Sequence, residues 1–326
     1  MRQLLIHAKS FARIEDALKR FSDHISPLVL DDEGRLKHAW GESEASGAIA
    51  YGTQDAYFSP SVTTFFQTLM GFERLDWFQS SAAGVEHPLI QAVGQKAELF
   101  SGSHEQSEAI AEWVLWAGLD FLQDGARRRR AQADKNWTRL PFRELAGTKC
   151  LIIGFGAIGQ ACGRRLRALG VDVTGVRRSG GKDPAADRIA QPDAVSGLLG
   201  DADIVVLSLP LTPATKDIAD EAFFAAMKED SLFINVGRGG LVDETALMAA
   251  LDRGAPEQAY LDVVREEPLS PESPVWTHPK ITLTPHISAL TEGSKIRTDV
   301  VFLENLEAFL SGAPLRNQVS SVLFDG

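Results

Sequence analysis

Gly154-Phe155-Gly156-Ala157-Ile158-Gly159 follows an apolar run at 149–153 and leads into a helix-period stretch at 158–169. A GxGxxG set between a strand and a helix is the arrangement that holds a dinucleotide. Gly154 permits the tight turn, Gly156 lets the backbone approach a pyrophosphate, and Gly159 allows close helix–strand packing. The helix opening around Ala157 and Ile158 then offers unsatisfied N–H groups and a positive dipole end to the phosphates.

The strand expected at 171–176 runs into Arg177, Arg178 and Ser179. In an NAD site, a carboxylate about twenty residues past the glycines holds the ribose 2′-hydroxyl. Arg177 stands there instead, and a guanidinium can bind a 2′-phosphate through paired, charge-assisted hydrogen bonds. The cofactor expected is NADP, used as NADPH, with NAD as the alternative.

Further segments complete a set: Leu209-Pro210-Leu211-Thr212-Pro213-Ala214-Thr215, Asn235-Val236-Gly237-Arg238-Gly239-Gly240, and Leu261-Asp262-Val263 running on to Glu267-Pro268. Thr284-Pro285-His286-Ile287-Ser288 closes it at the end of the last strand. With these motifs the chain resembles the D-isomer-specific 2-hydroxyacid dehydrogenases, particularly their glyoxylate/hydroxypyruvate reductase-like members. The resemblance is dense from about 105 to 290 and thin before residue 80.

The family's catalytic arginine, glutamate and histidine match Arg238, Glu267 and His286. The resemblance implies that Leu209, Pro210, Thr215, Val236 and Gly237 belong to the cofactor cleft, and that Asp262 and Arg238 lie near the nicotinamide. Ser81-Ala82-Ala83-Gly84-Val85-Glu86 is similar to the family loop whose backbone N–H groups, here at Ala83 and Gly84, hold the substrate carboxylate. Glu86 stands where aspartate is usual, and Gly237 where a small alanine is usual. Neither change removes a reacting group.

The reaction so implied moves a hydride to C2 of a 2-keto acid while the keto oxygen takes a proton. His286 can supply that proton, because an imidazole's ordinary pKa, about 6.5, lies near working pH. Glu267 hydrogen-bonded to the ring would favour the imidazolium and fix its orientation. Arg238 offers a planar, permanently charged fork to the substrate carboxylate and carbonyl, so Arg238 and His286 are also substrate-binding candidates. His87 and His104 are weaker candidates, each better read as a neighbour than as the acid.

These groups need elements to carry them. Strand candidates recur at 149–153, 171–176, 203–208, 231–236, 259–263 and 281–284, with helices at 158–169, 220–227 and 243–253 between them. That alternation predicts a parallel sheet covered on both faces. Ser103 to Gln106 has capping-box form ahead of a helix presenting Ile110, Trp113, Val114, Ala117 and Phe121 on one face. Leu4 to Ala8 reads as a strand, 14–21 as a helix, and Ile296, Val300, Leu303 and Leu310 mark a last helix at about 292–311. The fold class expected is α/β: a Rossmann-type doubly wound parallel sheet at 101–288 that binds NADP, plus a discontinuous flavodoxin-like α/β substrate domain from 1–100 and 289–326. The active site is expected in the cleft between them.

Composition fits this reading. The 326 residues are 44% hydrophobic and 24% charged, an ordinary globular balance large enough for two domains. Thirty-three Lys and Arg against 44 Asp and Glu leave a net charge of −11, which disfavours nucleic acid and anionic membrane as partners. The four arginines 127–130 are flanked by acids and read as a solvated helix end. Cys150 and Cys162 match no metal or redox spacing and read as buried thiols, so no metal is expected. With no signal peptide or spanning segment apparent, the protein reads as cytoplasmic, and the family resemblance implies a homodimer. Two rival functions share the scaffold: an NAD-dependent D-2-hydroxyacid dehydrogenase working oxidatively, and a cofactor-sensing, corepressor-like binding protein.

Overall fold

A computed structural model describes residues 1–41 and 45–324. The chain divides into two compact units, Met1–Gln106 with Leu290–Gly326, and Ser107–Ala289. Among the described residues each unit holds one sheet flanked by helices.

The first unit contains β1 (Arg2–His7), β2 (Ile25–Leu30), β3 (Leu36–His38), β4 (Ala48–Gly52), β5 (Leu75–Ser80) and β6 (Ala97–Ser101). Its sheet runs Gln318–Val319, β6, β5, β4, β1, β2, β3, antiparallel only at its two edges. Leu4, Leu5 and Ile6 are all fully buried, as a central strand covered on both faces requires. One face packs on Phe65, Phe66 and Leu69, the other on Ile14, Leu18, Phe302 and Leu306.

The second unit contains β7 (Lys149–Ile153), β8 (Asp172–Val176), β9 (Arg188–Ala190), β10 (Ile204–Leu207), β11 (Leu232–Asn235), β12 (Gln258–Leu261) and β13 (Ile281–Leu283). All pair in parallel in the order β13-β12-β11-β10-β7-β8-β9, so the sequence order reverses between β7 and β10. Alternate residues serve opposite cores: Ile152, Val206 and Ile234 meet the helix Ser107–Leu122, whereas Ile153, Val205 and Phe233 meet Phe224, Leu247 and Leu251. Both cysteines are buried and unbridged, and burial pushes the Cys162 thiol up to about 12. Arg129 pairs with Asp120 and Arg127 with Asp124, so the arginine run is a solvated helix face with acidic partners. No described helix is long and apolar enough to cross a membrane.

Two local expectations change. The Ser103 hydroxyl accepts the Glu105 N–H, and the helix opens only at Ser107, so no capping box forms. The helix Glu292–Ser311 has the expected span, but Ile296 and Val300 are 56% and 49% exposed. Its buried face instead carries Asp299 and Asn305 beside Phe302 and Leu306. Asp299 is paired by Arg13 (Nε–Oδ2 2.7 Å) and accepts the Tyr51 hydroxyl at 2.8 Å, so the polar side can face inward. Arg13 also reaches Asp55 at 2.5 Å, and Lys295 meets the other Asp55 oxygen at 3.1 Å.

Candidate active site

The glycine loop leaves β7 at the point where the strand order reverses, the position at which open α/β sheets bind ligands. Gly154 adopts φ +102°, and a Cβ there would sit 2.6 Å from the Ser208 carbonyl oxygen. The Ser208 hydroxyl closes the turn by donating to the Gly154 carbonyl at 2.7 Å. A Cβ on Gly159 would lie 2.6 Å from that same Gly154 carbonyl, the close packing expected of it. Gly156 differs: an added Cβ would meet nothing within 4 Å. It caps the helix Ala157–Ala168, whose N-terminus receives no side-chain cap. Open space in front of uncapped N–H groups fits a pyrophosphate. Phe155 is buried with its ring against Gly175 and supports the turn from beneath.

At the end of β8, Arg177 is engaged within its own loop. Nε donates to the Gly180 carbonyl at 2.9 Å, Nη2 to the Lys182 carbonyl at 3.2 Å, and Nη1 pairs with Asp183 at 2.8 Å. Arg178 and Ser179 are exposed beyond it. Asp183 was the missed signal, an acid six residues on, across the Gly180-Gly181 turn. Past β10, Thr215 ties its turn by donating to the Pro210 carbonyl at 2.7 Å and accepting the Thr212 N–H at 2.8 Å. Leu209 approaches Gly237 so closely that a Cβ there would lie 2.8 Å from the Leu209 carbonyl oxygen. Glycine instead of alanine at 237 follows from that contact. Val236 is buried behind it.

Arg238, Glu267 and His286 follow the carboxyl ends of β11, β12 and β13. His286 Nδ1 lies 2.8 Å from Glu267 Oε2, while Glu267 Oε1 accepts the Val264 N–H at 3.1 Å. Burial alone would raise the Glu267 carboxyl. The hydrogen bond and charge of His286, the Val264 N–H and the charge of Arg238 outweigh burial and hold it below the usual carboxylate range. The imidazole is 48% exposed, so it is open to a reactant. Arg238 is half-buried, with Nη1 donating to the Gly237 carbonyl at 2.8 Å. Its neighbour must be glycine, because a Cβ at Gly239 would run into the Val264 carbonyl.

Two buried side chains stand behind these groups. Asn235 accepts the Gly237 N–H at 3.0 Å and donates to the Arg238 carbonyl at 2.9 Å. Asp262 accepts from Thr284 Oγ1, the Ile287 N–H, the Ser288 N–H and the Ser288 hydroxyl. Sequence reasoning named Asp262 only by resemblance and missed Asn235.

In the first unit, Ser81–Glu86 follows β5. The Ser80 hydroxyl accepts the Ala82 N–H at 3.0 Å and lies 3.0 Å from the Tyr57 hydroxyl. The Ala82 carbonyl accepts the Ser103 N–H at 3.2 Å, and Ala83 and Gly84 form the outer part of the loop. His87 caps the helix Pro88–Lys96 by accepting the Leu89 N–H.

Residues 115–288 match the family model for the D-isomer specific 2-hydroxyacid dehydrogenase, NAD binding domain. The chain belongs to that family. Its second unit is therefore an NAD(P)-binding domain of Rossmann type. This family member is 36% identical over 60% of its length to D-3-phosphoglycerate dehydrogenase 2, chloroplastic, of Arabidopsis thaliana, and spans only 32% of that relative. It is 28% identical to glyoxylate/hydroxypyruvate reductase B of Klebsiella pneumoniae, covering 94% of this chain and 95% of the other. Among solved structures, it is similar to the NADPH-dependent glyoxylate/hydroxypyruvate reductase of Sinorhizobium meliloti in complex with NADP and sulfate. The TM-score there is 0.76 at 27% identity, over 99% of each chain.

Proposed function

We propose that this dehydrogenase-family protein reduces a small 2-keto acid of the glyoxylate or hydroxypyruvate kind to the D-2-hydroxy acid, with NADPH as the preferred reductant. The observation that carries the reading is the His286–Glu267 contact at 2.8 Å, with the Arg238 charge acting on the same carboxylate. Reduced nicotinamide, when bound, supplies the hydride. With Nδ1–H donated to Glu267, His286 Nε2 is the nitrogen that hands a proton to the keto oxygen. Arg238 holds the substrate carboxylate and stabilises charge developing on the carbonyl oxygen. The backbone N–H groups at Ala83 and Gly84 are assigned to the same carboxylate by the family likeness.

Two observations support NADPH: no carboxylate follows β8 at 177–179, and the similar Sinorhizobium meliloti enzyme carries NADP. With Arg177 engaged by Gly180, Lys182 and Asp183, contact with the 2′-phosphate falls to Arg178 and Ser179. One exposed charge-assisted contact is worth about 1.5 kcal/mol, roughly tenfold in favour of NADPH.

The test is turnover of NADPH, then NADH, with a panel of 2-keto acids, followed by nicotinamide absorbance. Oxidation of NADPH by glyoxylate or hydroxypyruvate is the expected outcome. Tight cofactor binding with no turnover on any keto acid would favour the corepressor-like reading instead.

A further inference from the structure

We propose that Asp183 is a specificity-determining residue: it occupies Arg177, withholds that guanidinium from the 2′-phosphate of a cofactor, and so keeps NAD usable beside NADP. The proposal rests on the cofactor reading above, in which Arg178 and Ser179 meet the 2′-phosphate, and names what holds that preference to a modest size.

The residues between β8 and β9 form a closed excursion. At its mouth the Arg177 N–H donates to the Ala190 carbonyl at 3.1 Å. Inside it, Gly180 and Gly181 adopt φ +57° and +85°, two successive left-handed positions that glycine takes without steric cost. That double turn brings Lys182 and Asp183 back over the end of β8. Arg177 then donates from each of its three side-chain nitrogens, to the Gly180 carbonyl, the Lys182 carbonyl and Asp183 Oδ2.

Asp183 is the fixed member of the pair. Its carboxylate is 12% exposed, and Oδ1 accepts the Ala185 N–H at 3.0 Å. Its carbonyl accepts the Ala186 N–H at 3.2 Å. Ala185 and Ala186 are buried, and the Ala185 carbonyl lies so close to Gly163 that a Cβ there would clash. Asp183 is thus anchored against the helix Ala157–Ala168, which opens at the glycine loop.

A guanidinium carries one positive charge, and Asp183 already balances it. A 2′-phosphate at Arg177 must either meet a neutralised pair or draw the arginine away and leave a mostly buried carboxylate without this cation. Either route offsets what the contact would gain. The uncharged 2′-hydroxyl of NAD is spared both.

The experiment uses two fragments, adenosine 5′-monophosphate and adenosine 2′,5′-bisphosphate, which differ only in the 2′-phosphate. Calorimetry on the full chain gives the ratio of their affinities without turnover. Asp183→Asn keeps one oxygen for the Ala185 N–H and turns an NH2 toward Arg177, whereas Asp183→Ser keeps a capping hydroxyl and withdraws from the arginine. Each should shift the ratio toward the bisphosphate by about tenfold, with monophosphate affinity within about twofold of the parent. Combining Arg177→Ala with Asp183→Ser should return the ratio to that of the parent. The same tenfold shift is expected in kcat/KM for NADPH over NADH in the single variants.

An unchanged ratio in both single variants overturns the proposal, because Arg177 is then held by the two carbonyls alone. A gain that survives in the double variant overturns it in favour of direct repulsion by Asp183. Equal weakening of both fragments also overturns it and reduces Asp183 to a brace of its loop. A parent that binds both fragments equally, with a gain in the variants, refutes the NADPH preference and leaves the role of Asp183 standing.

Discussion

His286 Nδ1 stands 2.8 Å from Glu267 Oε2, and Glu267 is anchored on its other oxygen by the Val264 N–H. Glu267 is held below its usual range partly by the hydrogen bond and charge of His286. A carboxylate hydrogen-bonded to a proton donor favours the donor's charged form, and reduction takes its proton from that form. Glu267→Gln should therefore move the alkaline limb of the kcat/KM profile to lower pH. An unmoved limb would show that the contact does not govern proton delivery.

His286→Ala should lose on the order of 100- to 10,000-fold in kcat while NADPH binding persists, since only proton donation is removed. Cofactor fluorescence and single-turnover rates separate the two. Near-normal turnover in this variant would transfer the role of acid to another group.

Arg238→Lys keeps the charge and loses the fork. Lysine also cannot repeat the directed Nη1–H bond to the Gly237 carbonyl that fixes the side chain. We expect kcat/KM for the keto acid to fall at least about tenfold, with KM rising. Parity with the parent would reduce Arg238 to a background charge.

Cofactor choice separates two neighbouring arginines. Arg178→Ala should cut the NADPH over NADH preference by roughly tenfold and leave NADH kinetics intact. Arg177→Ala should weaken both cofactors alike, because it releases Gly180, Lys182 and Asp183 from the loop beyond β8. The comparison is kcat/KM for both cofactors at low and moderate salt. A large preference change in Arg177→Ala alone would return recognition to Arg177.

In the first unit, Arg13→Ala removes the arginine that pairs both Asp299 and Asp55, 5% and 4% exposed, and leaves Lys295 as a cationic partner of Asp55. Burial already raises the Asp299 carboxyl despite the arginine. Breaking such a buried pair costs about 3–5 kcal/mol. Urea unfolding should show that loss, and it should shrink at acid pH, where the Asp299 carboxylate takes up a proton.

The sheet of the second unit was legible because its strands are buried on both faces and read as unbroken apolar runs between glycine turns. The glycine turn and the His286–Glu267 contact were legible because residue type and strand-end position agree. Ile296 and Val300 misled, because the inward face of their helix is polar and its partners, Arg13 and Tyr51, lie far away in sequence. The loop contacts of Arg177 were not legible, because a side chain that caps its own loop has the same letter as one that meets a ligand. Asn235 was missed because an amide folded back on its own turn leaves no periodic trace.

The first unit is assembled from both ends of the chain. Phe302 stacks on Tyr51 at 4.0 Å, Leu315 packs into the core with Leu4 and Ile6, and Gln318–Val319 completes the sheet beside β6. The second unit, by contrast, is one uninterrupted stretch. A ribosome making this chain releases the nucleotide-binding unit whole while Leu4, Tyr51 and Trp77 still wait for their cover. During that interval the apolar surface of the N-terminal segment stays exposed, the condition under which folding intermediates aggregate. Residues 1–106 are made before the second unit and completed only after it.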